Sequence, residues 1–146
     1  MKQKTRILVL CTGNSCRSQM AEGWLRHFGG NAVEVFSAGV EVHGVNPIAI
    51  KVMGEAGIDI SHHTSDLVDQ YLDQPFDFVI TVCDNARERC PYFPTKAKKI
   101  HHNFTDPAKV EGSEEEKLDA FRTIRDQIRD FSRKILKDEL DIMVKS

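Results

Sequence analysis

Hydrophobic residues along this chain follow two patterns, short continuous runs and stripes that recur every three or four positions. The runs at residues 6–10, 33–36, 76–83 and 99–104 predict four buried strands. The stripes predict helices over residues 16–28, 46–57 and 67–72, and a long helix that begins near residue 113. Alternation of this kind is typical of an α/β domain, here a four-stranded parallel sheet with helices on both faces.

Two of the predicted helices carry start signals. Asn46 is expected to cap a helix whose first position is Pro47. Three glutamates follow Ser113, where negative charge suits the positive end of a helix.

Composition then narrows the class of protein. The chain has 146 residues, 40% of them hydrophobic and 29% charged, which is typical of a single soluble globular domain over residues 1–146. The formal net charge of −2 argues against nucleic acid as the main partner, because phosphate backbones are bound by basic surfaces. Any anion-binding site must therefore be built locally.

No targeting or membrane-spanning segment is predicted. The N-terminus is polar through Thr5, and the apolar run at 7–10 is too short for a signal peptide. No stretch approaches the roughly 18 to 20 apolar residues of a membrane span. The expected location is the cytoplasm, with no membrane partner. Four cysteines in a reducing compartment indicate catalysis, redox switching or metal binding rather than structural disulfides.

The strongest chemical signal follows the first strand and reads Cys11-Thr12-Gly13-Asn14-Ser15-Cys16-Arg17-Ser18. In open parallel sheets, loops between a strand and a helix N-terminus bind ligands. Gly13 and Asn14 tolerate positive φ, so successive backbone N–H groups can converge on an anion. Arg17 offers a planar pair of donors to a tetrahedral oxyanion. Residues 12–18 are therefore the candidate substrate-binding loop.

Cys11 lies at the mouth of this loop. Donors that hold an anion also stabilise a thiolate, and Ser18 can donate one more hydrogen bond to the sulfur. The combination indicates a nucleophile directed at a bound oxyanion. The plain alternative is a buried cysteine at a strand end and a surface Arg17. The preceding strand, the internal Gly-Asn and the following helix favour the functional interpretation.

The pattern Cys11-x5-Arg17-Ser18 after an N-terminal strand resembles the low-molecular-weight tyrosine phosphatase fold. The longer string CTGNSCRSQMAEGW resembles the thioredoxin-coupled arsenate reductases built on that fold, as do SAGV at residues 37–40, HGVNP at 43–47 and HTSD at 63–66. The similarity extends over the chain up to the last helix.

Two further cysteines follow the third predicted strand. Cys83 ends the strand, and Cys90 follows after six residues. Because the carboxyl ends of parallel strands share one edge, Cys83 is expected near Cys11. Cys83 could instead be a buried strand residue and Cys90 a chance surface thiol. Alternatively, both could bind zinc with His101 and His102, although C-x6-C-x10-HH fits no common zinc pattern well. The resemblance implies that Cys83 and Cys90 form a redox relay with Cys11.

Cys16 and Asp106 receive different interpretations. Cys16 is expected to be structural, its side chain directed away from the loop once the helix begins. Asp106 precedes Pro107 after the fourth strand, which alone is a turn signal. The resemblance implies a general acid there. Phosphatases of this fold carry aromatic residues after the Asp-Pro, whereas Ala108-Lys109-Val110 here suits a small inorganic substrate.

The resemblance also bears on a metal ion. Asn14, Glu22, Ser37 and Asp66 match the residues that support a potassium ion in some of these reductases. A plain hydrogen-bond network beneath the loop is the alternative, and both interpretations stay open.

The function implied is reduction of arsenate to arsenite, with phosphate or sulfate as competing anions and a thioredoxin-like dithiol as reductant. Two thiols supply the two electrons, so no bound cofactor is required beyond the structural potassium ion considered above. A phosphatase that hydrolyses phosphate monoesters with Cys11, Arg17 and Asp106 is the alternative enzyme. A thiol redox sensor that binds a regulatory anion is a non-enzymatic alternative.

The segment between Cys83 and Cys90 is expected to change conformation when these two cysteines are oxidised. Residues 84–89 favour a short helix, with Asp84 or Asn85 as its cap and Pro91 disfavouring helix at Cys90. Helical geometry separates the two Cα atoms by about 10 Å, and a disulfide tolerates about 7 Å. The helix and a Cys83–Cys90 bond are therefore nearly exclusive.

Overall fold

The computed structural model describes residues 4–89 and 97–140. Its strands are β1 (Thr5–Cys11), β2 (Val33–Gly39), β3 (Phe78–Thr81) and β4 (Lys98–His101). Its helices are α1 (Arg17–Gly29), α2 (Pro47–Glu55), α3 (Asp84–Arg89) and α4 (Glu114–Asp138). The strands are all parallel and lie in the order β2-β1-β3-β4, which confirms the predicted fold class.

Three predicted elements differ from the structure. The third strand ends at Thr81 rather than at residue 83, because Cys83 already begins the turn into α3. The fourth strand spans residues 98–101 rather than 99–104. The helix predicted over 67–72 is only a 3₁₀ turn at Val68–Tyr71, because Leu67 is extended and bridges to Gly39. So short a segment gains little from helical hydrogen bonds alone.

The helix starts predicted at Asn46 and near Ser113 are confirmed. The Asn46 side chain accepts a hydrogen bond from the Ile48 backbone N–H at 2.8 Å, and Pro47 is the first residue of α2. At the start of α4, Ser113 and Glu116 exchange reciprocal hydrogen bonds in a capping box.

The central strand of the sheet is buried. Ile7, Leu8, Val9 and Leu10 of β1 have no solvent exposure, as expected of a central strand covered on both faces. Helices α1, α2 and α4 pack against one another, while α3 packs against β1 and β3. No helix within residues 4–89 and 97–140 combines the length and apolar composition that crossing a membrane requires.

The strand order creates a crevice between β1 and β3. From β1 the chain passes to β2 on one side, then returns to β3 on the other. Ligands bind at the carboxyl ends of strands where the order reverses in this way. Cys11 ends β1, Cys83 follows β3 and Asp106 follows β4, so all three lie along this edge of the sheet.

Candidate active site

The loop after β1 directs its carbonyl groups outward. The carbonyls of residues 11–15 all accept hydrogen bonds of 2.8 to 3.3 Å. The donors are the backbone N–H groups of Val40, Glu41, His43 and Asn46 and the side chains of Gln19 and Ser65. By contrast, no backbone N–H of residues 12–16 donates to an acceptor within the described residues. The loop therefore presents free donors next to the N-terminus of α1, which is the arrangement that binds anions.

Two residues of the loop have special backbone requirements. Asn14 has a φ of 49° and so uses the positive φ that it was expected to tolerate. Gly13 does not use positive φ. Its requirement is space, because a Cβ on Gly13 would lie 2.3 Å from His43 Nδ1. The imidazole of His43 therefore packs directly on the loop.

The sulfur of Cys11 has a defined donor. Cys11 Sγ lies 2.8 Å from Ser18 Oγ, and Asn14 Nδ2 donates to the same hydroxyl oxygen at 2.8 Å. Because Ser18 accepts from Asn14, its own proton is free to point at the sulfur. The predicted Ser18–Cys11 contact is present, and Asn14 orients it.

Arg17 is held at the wall of the site. Its Nη1 donates to the Phe104 carbonyl at 2.9 Å, and its Nη2 lies 3.6 Å from Asp106 Oδ2. Its Nε is buried and has no hydrogen-bond partner within the described residues. A buried guanidinium N–H without an acceptor is costly unless a ligand supplies one. Nε and Nη2 lie on one edge of the guanidinium, which suits two oxygens of an oxyanion.

Cys83 lies where β3 passes into α3, on the same cavity as Cys11. Its sulfur accepts from the Ala86 backbone N–H at 3.4 Å and lies 3.4 Å from Thr12 Oγ1. Asn85 Nδ2 donates to Thr12 Oγ1, which leaves the Thr12 proton free for the sulfur. The Cys83 thiol therefore occupies the capping position that the sequence assigned to Asp84 or Asn85.

Asp106 and Cys16 face each other. Asp106 Oδ1 accepts from the Ala108 backbone N–H at 3.0 Å, and Cys16 Sγ lies 3.7 Å from the same oxygen. The Cys16 side chain thus points toward the cavity wall, not away from it as predicted. Burial, with a smaller effect from Asp106, raises the pKa of Cys16 to about 12. Cys16 therefore stays a thiol, in keeping with its predicted structural role.

One cavity of about 690 Å³ gathers most of the predicted site residues. It is lined by Cys11, Thr12, Gly13, Ser15, Cys16, Arg17, Cys83 and Asp106, together with His43, Asp84, Asn85, Asn103, Phe104, Thr105, Ala108 and Lys109. Asn14 and Ser18 lie behind the wall as fully buried supports. Cys90 lies outside the described residues, so its predicted role stays a prediction.

The zinc alternative finds little support. Both ring nitrogens of His101 are engaged, with Thr81 Oγ1 and Asp84 Oδ1, each at 2.7 Å. His102 stacks against Phe104 and Phe131. Across residues 4–89 and 97–140, no three His, Cys, Asp or Glu side chains form a group suited to a metal ion.

A second, polar cavity of about 200 Å³ lies beneath the loop. Glu22, Ser37 and Asp66 line it, whereas Asn14 does not. Ser37 donates to Glu22 at 2.6 Å, Asn14 donates to Ser37 at 3.0 Å, and the Asp66 backbone donates to Asn14 Oδ1 at 2.8 Å. Burial raises the pKa of Glu22 above its usual range. The four residues proposed for potassium are thus one connected network that ends at Ser18 and Cys11.

Sequence reasoning missed several supporting groups. The Phe104 carbonyl that holds Arg17 is a backbone atom and leaves no signal in the sequence. Gln19 bridges the loop to the Thr64 carbonyl and to His63. Burial lowers the pKa of His63 to about 4, so that side chain is neutral. His43 and Ser65 fall in the segments that carried the resemblance, although no role was predicted for either.

The fold and the site together define the class of protein. Residues 6–145 match the low molecular weight phosphotyrosine protein phosphatase family, and the chain belongs to it.

Among its relatives is the arsenate reductase of Halalkalibacterium halodurans, 54% identical over 125 residues, which cover 86% of this chain and 90% of the relative. The solved structure of an arsenate reductase in the reduced state has a TM-score of 0.75 at 32% identity, covering 94% of this chain and 98% of that one. A structure of an arsenate reductase in the phosphate binding state has a TM-score of 0.69 at 31% identity, covering 90% and 96%.

Replacing Arg17 with lysine tests the anion site. Lysine keeps the charge but cannot present two parallel donors, so we expect inorganic phosphate to bind on the order of 10- to 100-fold more weakly, as for loss of a charge-assisted hydrogen bond. Isothermal titration calorimetry measures this, with Arg129→Lys on the exposed face of α4 as the control. Equal phosphate affinity in Arg17→Lys and wild type would remove Arg17 from the site.

Proposed function

We propose that this protein is an arsenate reductase that converts arsenate to arsenite. One observation carries the proposal, namely that a second thiol, Cys83, faces the same cavity as Cys11 and the anion-binding loop. Hydrolysis of a phosphate ester needs one nucleophile and has no use for this thiol. The arsenate reductases among the relatives support the same conclusion.

The first step joins Cys11 to arsenic. The loop N–H groups and Arg17 hold the oxyanion, and the Cys11 thiolate attacks the arsenic atom. One oxygen departs as water, with Asp106 as the proposed source of its proton. Asp106 is already in contact with Arg17. An incoming anion that takes the Nε–Nη2 edge of Arg17 replaces that contact and leaves the carboxyl group facing the substrate.

The second step transfers the electrons. The Cys83 thiolate attacks Cys11 Sγ, a Cys11–Cys83 disulfide forms, and the electron pair of the sulfur–arsenic bond stays on arsenic. Arsenic(V) is thereby reduced to arsenic(III), and arsenite leaves. The Ala86 N–H and the Thr12 hydroxyl both face the Cys83 sulfur and position it for this attack.

The third step regenerates Cys11. Cys90 attacks Cys83, which frees Cys11 as a thiolate and leaves a Cys83–Cys90 disulfide. A thioredoxin-like dithiol then reduces that bond by the same exchange chemistry. The thiols supply both electrons, so the proposal requires no organic cofactor. Because the proposed reductant is an intracellular dithiol, the proposed location of the protein is the cytoplasm.

A potassium ion is proposed for the cavity beneath the loop. The oxygens of Glu22, Ser37 and Asp66 that line it suit a hard cation. Arg26 lies 2.9 Å from Glu22 Oε2 and is the positive charge nearest that buried carboxylate. A bound cation would add a second positive charge there and stiffen the Ser37–Asn14–Ser18 chain that leads to Cys11.

Steady-state turnover tests the proposed function. With thioredoxin, thioredoxin reductase and NADPH, we expect NADPH oxidation that depends on arsenate and is inhibited competitively by phosphate. Cys11→Ser should abolish this turnover and any hydrolysis of p-nitrophenyl phosphate, because a serine hydroxyl is un-ionised near neutral pH. Hydrolysis without arsenate-dependent oxidation would indicate a phosphatase, and neither activity would indicate a redox sensor.

Cys90→Ser isolates the first two steps. It should release one arsenite per enzyme and stall with a Cys11–Cys83 disulfide, which peptide mass mapping can identify. Cys83→Ser is the matched control and should release none without added thiol. Stoichiometric arsenite from Cys83→Ser would show that the order of the relay is wrong.

Potassium should stabilise the folded protein. A ligand that binds only the native state at ten times its dissociation constant adds about 1.4 kcal/mol to the free energy of unfolding. Urea unfolding in KCl and in tetramethylammonium chloride of equal ionic strength measures the difference. Glu22→Gln should remove it, and equal unfolding midpoints for the wild type in both salts would argue against the ion.

A further inference from the structure

Helix α3 is attached at its start to the loop after β1 and at its end to the segment after β2. Near its start, Asn85 Nδ2 donates to Thr12 Oγ1 at 2.9 Å. At its last residue, Arg89 Nη1 donates to Glu41 Oε2 at 2.8 Å. The second attachment joins elements 48 residues apart in the chain, so it is a tertiary contact rather than a local one.

Glu41 is a fixed anchor for this contact. Its backbone N–H donates to the Thr12 carbonyl at 2.8 Å, and its other carboxylate oxygen lies 2.8 Å from His43 Nε2. His43 in turn packs on Gly13 and donates its backbone N–H to the Gly13 carbonyl. The hydrogen bond from Arg89 is the main cause that holds the pKa of Glu41 below its usual range, and the hydrogen bond with His43 adds to it. The carboxylate is therefore ionised near neutral pH.

Formation of a Cys83–Cys90 disulfide opposes the helical state of α3 that this contact holds. Ideal helical geometry over residues 84–89 would separate the Cα atoms at positions 83 and 90 by about 10 Å, beyond the limit of about 7 Å for a disulfide. At least one turn of α3 must unwind. The start of α3 is also tied to β4 and to the residues after it, through Asp84 to His101 at 2.7 Å and to Asn103 at 3.0 Å. Unwinding is therefore expected at the other end, where Arg89 directly precedes Cys90.

We propose that the Glu41–Arg89 ion pair is a latch that holds α3 in its helical, thiol state and opposes closure of the Cys83–Cys90 disulfide. Glu41 is thus a positioning residue for the last exchange of the relay and has no part in the steps at arsenic. The inference rests on the proposed relay. The latch keeps Cys83 from closing with Cys90 before the Cys11–Cys83 disulfide has formed.

The same helix contains a matched control. Arg87 is as exposed as Arg89, and it pairs with Asp84 at 3.9 Å within α3 itself. That pair moves with the helix and does not tie it to the loop. Neutralising Arg87 therefore removes the same charge from the same helix without breaking the Glu41–Arg89 latch.

The test is the redox equilibrium of Cys83 and Cys90 in a Cys11→Ser background, titrated against glutathione and followed by thiol alkylation and mass spectrometry. Exposed ion pairs are weak, so Arg89→Gln should favour the disulfide by about two- to fivefold, a reduction potential about 9 to 21 mV more negative. Arg87→Gln should match the background. The charge swap E41R/R89E should restore the potential of the Cys11→Ser background. If Arg89→Gln acted only by a general loss of helix stability, this swap would not restore it.

Three outcomes decide the matter. If Arg89→Gln and Arg87→Gln have equal potentials, the latch is wrong even though the relay stands. If the background protein forms no Cys83–Cys90 disulfide at any glutathione ratio, the relay fails and the latch with it. In the protein that keeps all its thiols, single-turnover arsenite release by Arg89→Gln should equal wild type. A large loss there would place Arg89 in the earlier chemistry and overturn the proposal.

Discussion

The site depends on one constraint, which is that the carbonyl groups of residues 11–15 are all bound from outside. Backbone dipoles have two ends, so a loop whose carbonyls are held outward must present its N–H groups inward. The segment after β2 supplies most of the outer donors. Gly39 permits its close approach to the loop, since a Cβ there would lie 2.7 Å from the Asn14 backbone nitrogen and 2.8 Å from the Thr12 carbonyl oxygen. A protein with a net charge of −2 thereby builds a local anion site without a basic surface.

The same loop organises both described thiols of the proposed relay. Ser18 orients toward Cys11 from within the loop, and Thr12 reaches across the crevice to Cys83. The backbone of α3 completes the surroundings of Cys83 through the Ala86 N–H. In the proposed relay, a helix that would later unwind thus first serves to present a thiol. So short a helix is marginal alone, which makes its side-chain attachments to the rest of the protein decisive.

Buried ionisable groups, Glu22 and His63 among them, lie beneath the loop. Burial raises the pKa of Glu22 and lowers that of His63 to about 4, so both groups tend toward their neutral forms. Glu22 has a raised folded pKa, so its ionised form is disfavoured by folding, and any stability linked to its proton is lost as pH rises through that pKa. A cation in this cavity would reverse that preference, since it favours the ionised carboxylate.

The sequence alone determined the order of strands and helices and the fold class, and it predicted which residues are candidates for the reaction. Runs such as 7–10 mark a strand buried on both faces, and Cys11-x5-Arg17 between a strand and a helix has few other interpretations. Tertiary structure decided what depends on distance. Gly13 is required by the approach of His43 rather than by φ, Cys16 turns toward Asp106, and Cys83 rather than Asp84 caps α3. Local patterns encode periodicity and turn chemistry, but they carry no information about which remote carbonyl holds Arg17 or which carboxylate holds Arg89. Those contacts exist only once the parallel strands bring their carboxyl ends to one edge.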